Sequence, residues 1–181
     1  MTGPIIIPWN GITPRIAADA FVAPGVVLVG DVEIGSRASI WFGCVLRADV
    51  NKIRVGARSN IQDGTVVHCE SARDGKDGFS TIIGEDVLIG HMVMVHGAIL
   101  EDRAFIGMKS SLLNGTVVEG DAMVAAGALV AGKRIPKGQL WAGTPAKYMR
   151  DLTEQDIKGM RAGTLRYETN AQIYREQWAG K

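Results

Sequence analysis

An aliphatic residue returns at every sixth position along most of this chain. Stepping by six from Ile16 gives Val22, Leu28, Ile34, Ile40 and Leu46. Stepping by six from Leu100 gives Ile106, Leu112, Val118, Val124 and Val130. Between these runs lie Val55, Ile61 and Val67, then Ile83, Ile89 and Val95. All 18 positions are Ile, Val or Leu, although these types fill only 44 of 181 residues. Four residues after each mark the side chain is again small or apolar, with Arg134 the exception. A period of six fits neither an amphipathic helix nor an alternating sandwich. It fits an all-β solenoid, a parallel β-helix of short strands with an aliphatic side chain turned inward at each corner. Three hexads per coil predict about six coils, stacked at roughly 4.8 Å into a prism about 29 Å tall. Gly35, Gly56, Gly84, Gly90 and Gly107 follow their marks directly, where a tight corner is expected to need an unusual φ.

Two irregularities interrupt the period. From Leu46 to Val55 there are nine residues, three more than a hexad. From Val67 to Ile83 there are sixteen, and the excess, 71–80, is a polar, glycine-punctuated loop leaving the prism. The repeat divides the chain into an N-terminal cap strand (1–15), a prism (16–142) and a C-terminal helical segment (143–181). In the last, Thr153 and Asp156 are spaced as an N-cap and an acidic first turn. Gly163 is placed to break the helix. Tyr167, Asn170, Tyr174 and Trp178 step by three and four, predicting one face that lies along the prism. Ile5–Ile7 is expected to close the open end of the stack.

The outward slot after each mark is usually small, and its large polar exceptions gather in the middle coils. On one side of the prism the slot reads Val29, Arg47, His68, His96, Leu113, Ala131. On the preceding side it reads Ala23, Trp41, Gln62, Gly90, Gly107, Ala125, and one step further Pro24, Phe42, Asp63, His91, Met108, Ala126. All three histidines of the chain lie here. His68 and His96 share one slot in successive coils, so their Cα atoms are expected about 5 Å apart. That suits two imidazoles converging on one cation with Zn–N near 2.1 Å. A corner separates His91 from them, so within one chain it points elsewhere. In a threefold trimer of parallel prisms the two sides meet between neighbours, and His91 of one chain completes the set of the next. A decorative histidine ladder or a structural trimer seam would use the same positions. Three of three histidines in one zone favours a metal.

Composition narrows the classes. Lys plus Arg is 20 and Asp plus Glu 19, which argues against nucleic-acid or membrane-surface partners. Two cysteines, Cys44 and Cys69, are too few for a disulfide scaffold; Cys44 falls in a core slot, and Cys69, beside His68, alternates inward. The start lacks a basic region ahead of its short apolar run, and no stretch reaches the ~20 residues of a membrane span. The expected compartment is the cytoplasm.

The prism resembles the left-handed β-helix proteins of the hexapeptide-repeat superfamily, and the handedness is implied by that resemblance. Arg47-Ala48-Asp49, then Asn60-Ile61-Gln62-Asp63-Gly64-Thr65, then His68, then His91 with His96 five residues on, resembles the gamma-class carbonic anhydrase family. The resemblance implies Zn2+, with Fe2+ or Co2+ as alternatives, held by His68, His91 and His96 across a homotrimer seam. It implies metal-hydroxide attack on CO2 to give bicarbonate. Gln62 would hold the attacking oxygen and Asn60 would help orient CO2. Arg47 and Asp63 would pair across the interface, with Asp49 in the same network. Taken alone, Arg47 and Asp63 also read as a surface ion pair, and Asn60 and Gln62 as turn residues. The chain departs from the best-studied branch where proton export is concerned. Val50 follows Asp49 in place of a glutamate, and the shuttle position falls on Ser71. Glu70 is then the candidate shuttle, with Asp74 or Asp77 as substitutes, and the departure implies hydration that is weak or absent.

Gly143-Thr144-Pro145-Ala146-Lys147 resembles a segment of hexapeptide acetyltransferases near coenzyme A, so an acyltransferase is an alternative. An acyl-CoA thioesterase and a non-catalytic metal-stabilised trimeric scaffold are others. The first needs a histidine base, and every histidine is already in the metal set.

Overall fold

In a computed structural model, which describes residues 3–75 and 77–178, the chain is a parallel β-solenoid followed by one helix. Lys76 of the predicted loop lies outside the described residues. Each side of the prism is a ladder of two- or three-residue strands in register. On one, Met94–His96 stacks on Val66–His68, with Val95 over Val67 and His96 over His68. The inward marks form the core. All are buried except Ile16 and Val22, which are partly covered near the first coils.

Two sides merge into one 12-stranded sheet because Val27–Ile34 and Val45–Val55 run unbroken around a corner. The third is an 8-stranded sheet. The stack therefore exceeds the six coils expected. Ile5–Ile7 adds a rung ahead of the marks, parallel to Val27–Val29, its side chains largely exposed. After the marks, Arg134–Ile135 and Gln139–Ala142 extend the ladders, and Lys147–Asp151 turns back antiparallel on the latter. Terminal rungs need only one stacked neighbour, so the strict period fades there.

The glycines after the marks do not adopt unusual φ. Positive φ falls two residues later, at Arg37, Arg58, Asp86, Met92, Arg103 and Lys109, and at Gly25, Gly43 and Gly64. The glycine beside the mark answers a different need. A Cβ on Gly56 would stand 2.3 Å from the Gly84 carbonyl oxygen, and one on Gly107 2.4 Å from the Ala126 nitrogen. It is the close passage of successive coils that excludes a side chain.

The helix, Glu154–Trp178, lies across the 8-stranded sheet. Its start follows the predicted cap: the Asp156 amide donates to Thr153 Oγ1 (3.1 Å), and the Thr153 amide donates to Asp156 Oδ2 (2.8 Å). Gly163 does not break it. There the helix presses on the sheet, and a Cβ would stand 3.2 Å from Leu88 Cδ1. The buried face carries Met160, Thr164, Glu168 and Ala171, with Tyr167 and Tyr174 on Trp41. Asn170, expected on that face, is exposed because Ala171 occupies the inward position; the side chain of Trp178 lies outside the described residues. Among the described residues, no helix is long and apolar enough to cross a membrane.

Candidate metal centre

Strand register brings His68 and His96 together. Their ring centroids are 5.0 Å apart, and His68 Nδ1 lies 3.0 Å from His96 Nε2. The three-residue excess after Leu46 has a clear role. It swings the chain out of the ladder at the corner beside Gly30, where a Cβ would meet the Ala48 carbonyl at 2.4 Å. Asp49, on this excursion, reaches His68, with Oδ1 2.9 Å from Nε2. Burial opposes ionisation of Asp49, but hydrogen bonds from His68 and from Arg47 (Nη1 to Oδ2, 2.5 Å) outweigh it and hold the carboxyl below the ordinary range. An ionised carboxylate only accepts, so His68 Nε2 donates and Nδ1 keeps its lone pair.

His96 is held from the next coil, with Nδ1 2.6 Å from Asn114 Oδ1. Asn114 Nδ2 donates to Glu70 Oε2 (3.1 Å), and this hydrogen bond is the chief cause that lowers the Glu70 carboxyl below its ordinary value. Glu70 and Phe79 exchange backbone hydrogen bonds at the base of the loop. Asn51 donates to the Glu70 carbonyl (3.0 Å) and accepts from Ser80 Oγ (2.8 Å), so the loop is pinned at its root.

His91 lies on the other side of the corner, as its slot predicts. Its Nδ1 is 2.9 Å from Asp63 Oδ2, and its Nε2 is 3.4 Å from the Tyr167 hydroxyl on the helix. Burial, with the charge of Asp63, pushes the Tyr167 phenol up. Among the described residues, no group of three or more His, Cys, Asp or Glu side chains of the single chain could hold a metal. Gln62 and Asn60 are buried in the sheet that the helix covers, and Gln62 Nε2 donates to Asn60 Oδ1 (3.1 Å). Arg47 pairs with Asp49 and Asp63 with His91 within the chain, while Arg47 and Asp63 are each nearly half exposed. Both cysteines are buried; desolvation pushes the Cys44 thiol up to about 12, so it is inert.

The donor set fits a divalent cation. Each imidazole has one nitrogen against an oxygen of Asp49, Asn114 or Asp63, the arrangement that orients histidine ligands. Two nitrogens at about 2.1 Å from a tetrahedral ion stand about 3.4 Å apart. The 3.0 Å between His68 and His96 is within a few tenths of that. Sequence reading did not single out Asn114, Asn51 or the approach of Tyr167 to His91. Asn114 had a signal: it follows Leu112 by two residues, the slot that Gly97 occupies one coil earlier. A Cβ on Gly97 would stand 2.3 Å from Asn114 Oδ1.

The model of the family described as bacterial transferase hexapeptide (six repeats) matches residues 13–48. Carbonic anhydrase of Geobacillus kaustophilus is 42% identical over 172 residues, 94% of this chain and 91% of that protein. Gamma carbonic anhydrase 2, mitochondrial, of Arabidopsis thaliana is 48% identical over 163 residues, 90% of this chain. The chain spans only 59% of that relative's length. Among solved structures, a hexapeptide transferase family protein from Anaplasma phagocytophilum superposes with a TM-score of 0.87 at 41% identity, covering 94% of this chain and 98% of that one. A Bacillus cereus protein described as a "putative acetyltransferase" superposes at 0.92 with 37% identity, covering 97% and 99%. The repeat, the motif order and the 42% identity to the Geobacillus kaustophilus relative over most of both chains together establish that the chain belongs to the gamma carbonic anhydrase-like family of hexapeptide-repeat proteins.

Proposed function

We propose that the protein hydrates CO2 to bicarbonate at a divalent cation, Zn2+ or alternatively Fe2+ or Co2+, held between the subunits of a homotrimer by His68 and His96 of one chain and His91 of the next. The facing ring nitrogens of His68 and His96 carry the reading. Exposed Met92, Met94, Met108 and Leu113, placed near His91 and His96 in the coils, support a second copy of the chain as the surface that covers them. A cation at this site supplies Lewis-acid activation that brings the pKa of water toward about 7.

The chain's own groups do the positioning. Asp49, Asn114 and Asp63 set the ring orientations. Gln62 has spent its Nε2 on Asn60, which leaves Oε1 to accept a hydrogen bond from the reacting water. Asn60, fully buried, acts on CO2 through the Gln62 amide it fixes. Arg47 and Asp63 keep enough exposed surface to pair with a neighbouring chain. Val50, 45% exposed, stands where the best-studied branch places a glutamate, so proton export is the slow step and turnover is low.

Stopped-flow CO2 hydration with zinc-loaded and anaerobically iron-loaded protein tests the reading. A rate above buffer is expected in at least one form. None in either form removes the anhydrase function and leaves a metal-stabilised scaffold. The names of the two structural relatives and the Gly143–Lys147 segment make acyl transfer, or acyl-CoA hydrolysis, the second reading. Calorimetric binding of coenzyme A by protein without bound metal would favour it.

A further inference from the structure

We propose that Asn114, held by Glu70, is the positioning residue that locks His96 in the tautomer whose Nε2 lone pair faces His68. The inference rests on the metal reading above for its purpose, but its geometry lies within one chain.

An amide has one accepting end and one donating end. At neutral pH the Glu70 carboxylate accepts only, so the end of Asn114 that faces Oε2 at 3.1 Å is Nδ2. Oδ1 is thereby turned to His96 Nδ1 at 2.6 Å, and Nδ1 must be the protonated nitrogen. The His96 Nε2 lone pair then points at His68 Nδ1, whose own lone pair is set by Asp49. Two lone pairs then face each other at 3.0 Å, an arrangement that a bound cation satisfies.

The surroundings support a built lock. Gly97, one coil before Asn114, leaves the space its Oδ1 occupies. The backbone of Glu70 is fixed by Phe79 and Asn51, and its Oε1 lies 3.5 Å from Arg73 Nη2. Glu70 Oε1 also accepts from Ser71 Oγ at 3.4 Å. The path from Glu70 to His96 runs through an amide, which does not pass protons on. Glu70 therefore holds a ligand in place and does not relay protons along this path.

The test uses the full chain and two readouts. Long-range 15N–1H NMR of histidine-labelled, metal-free protein reports the His96 tautomer. Competition for Co2+ or Zn2+ against a chromophoric chelator reports affinity. Wild type is expected to show the Nδ1–H form. Asn114→Asp, which keeps an acceptor at His96 Nδ1 but loses the donor to Glu70, is expected to keep that form, whereas Asn114→Leu mixes the tautomers and loses about 10- to 100-fold in affinity. Glu70→Gln, which can also donate, frees the amide to turn and is expected to mix the tautomers with a loss of about 3- to 10-fold. Should Asn114→Leu fail to fold, Glu70→Gln at the half-buried loop root decides. Unchanged tautomer and affinity in Glu70→Gln, or in a folded Asn114→Leu, overturns the lock. Wild type that takes up neither ion contradicts the metal reading alone, while the tautomer signal still judges the lock.

Discussion

His91→Ala is expected to remove the cation from all three sites of the trimer and leave the coil stack folded. The imidazole is 36% exposed and points outward, so its loss empties no core slot. Surface changes of this kind cost within about 0.5 kcal/mol. The loss of one of three ligands should bring the metal, measured by elemental analysis after desalting, close to nil at an unchanged circular dichroism spectrum. Undiminished metal would refute the shared site. A mixing experiment sharpens the point. Chains carrying His91→Ala still offer His68 and His96, and chains carrying His68→Ala with His96→Ala still offer His91. Refolded together, the two inactive populations should regain up to one site per mixed trimer. A site built within one chain regains none.

The largest expected effect on stability is in the inward rows. Leu46 is fully buried between rungs whose backbones are locked in register, so the space left by Leu46→Ala cannot collapse. The expected cost is about 2–5 kcal/mol. Gly56→Ala is expected to be of similar size, because the new Cβ meets the Gly84 carbonyl group, which is backbone and cannot move aside. Leu165→Ala on the exposed helix face, 61% accessible, is the control and should stay within about 0.5 kcal/mol. Urea titrations of the four proteins check the ranking. A Leu46→Ala shift no larger than that of Leu165→Ala would mean that the six-residue period does not mark the core.

The marks were readable because a solenoid repeats one steric demand at each corner, and a single aliphatic position satisfies it. The same logic put His68 over His96 and set His91 around a corner. The glycines show where it failed. Gly35 and Gly56 read as turn glycines, but their φ is ordinary, and Arg37 and Arg58 carry the left-handed corner. The distance between coils, which no single hexad reveals, is what demands glycine there. Asn114 was missed for a related reason. Its partners, Glu70 and His96, are separated from it by a loop and a coil, so only vertical stacking reveals the pairing. Spacing alone puts Asn170 inward, whereas the closeness of the helix to the sheet selects Ala171. The extra coils escaped detection because the terminal rungs break the period.

The claim on which the rest depends is a cation shared between chains. Anomalous diffraction at the absorption edge of the bound metal tests it most directly. The account predicts one peak per chain, about 2.1 Å from nitrogens of His68 and His96 of one subunit and of His91 of its neighbour. A peak coordinated by one chain alone, or metal-loaded crystals with no peak near His68 and His96, would contradict it.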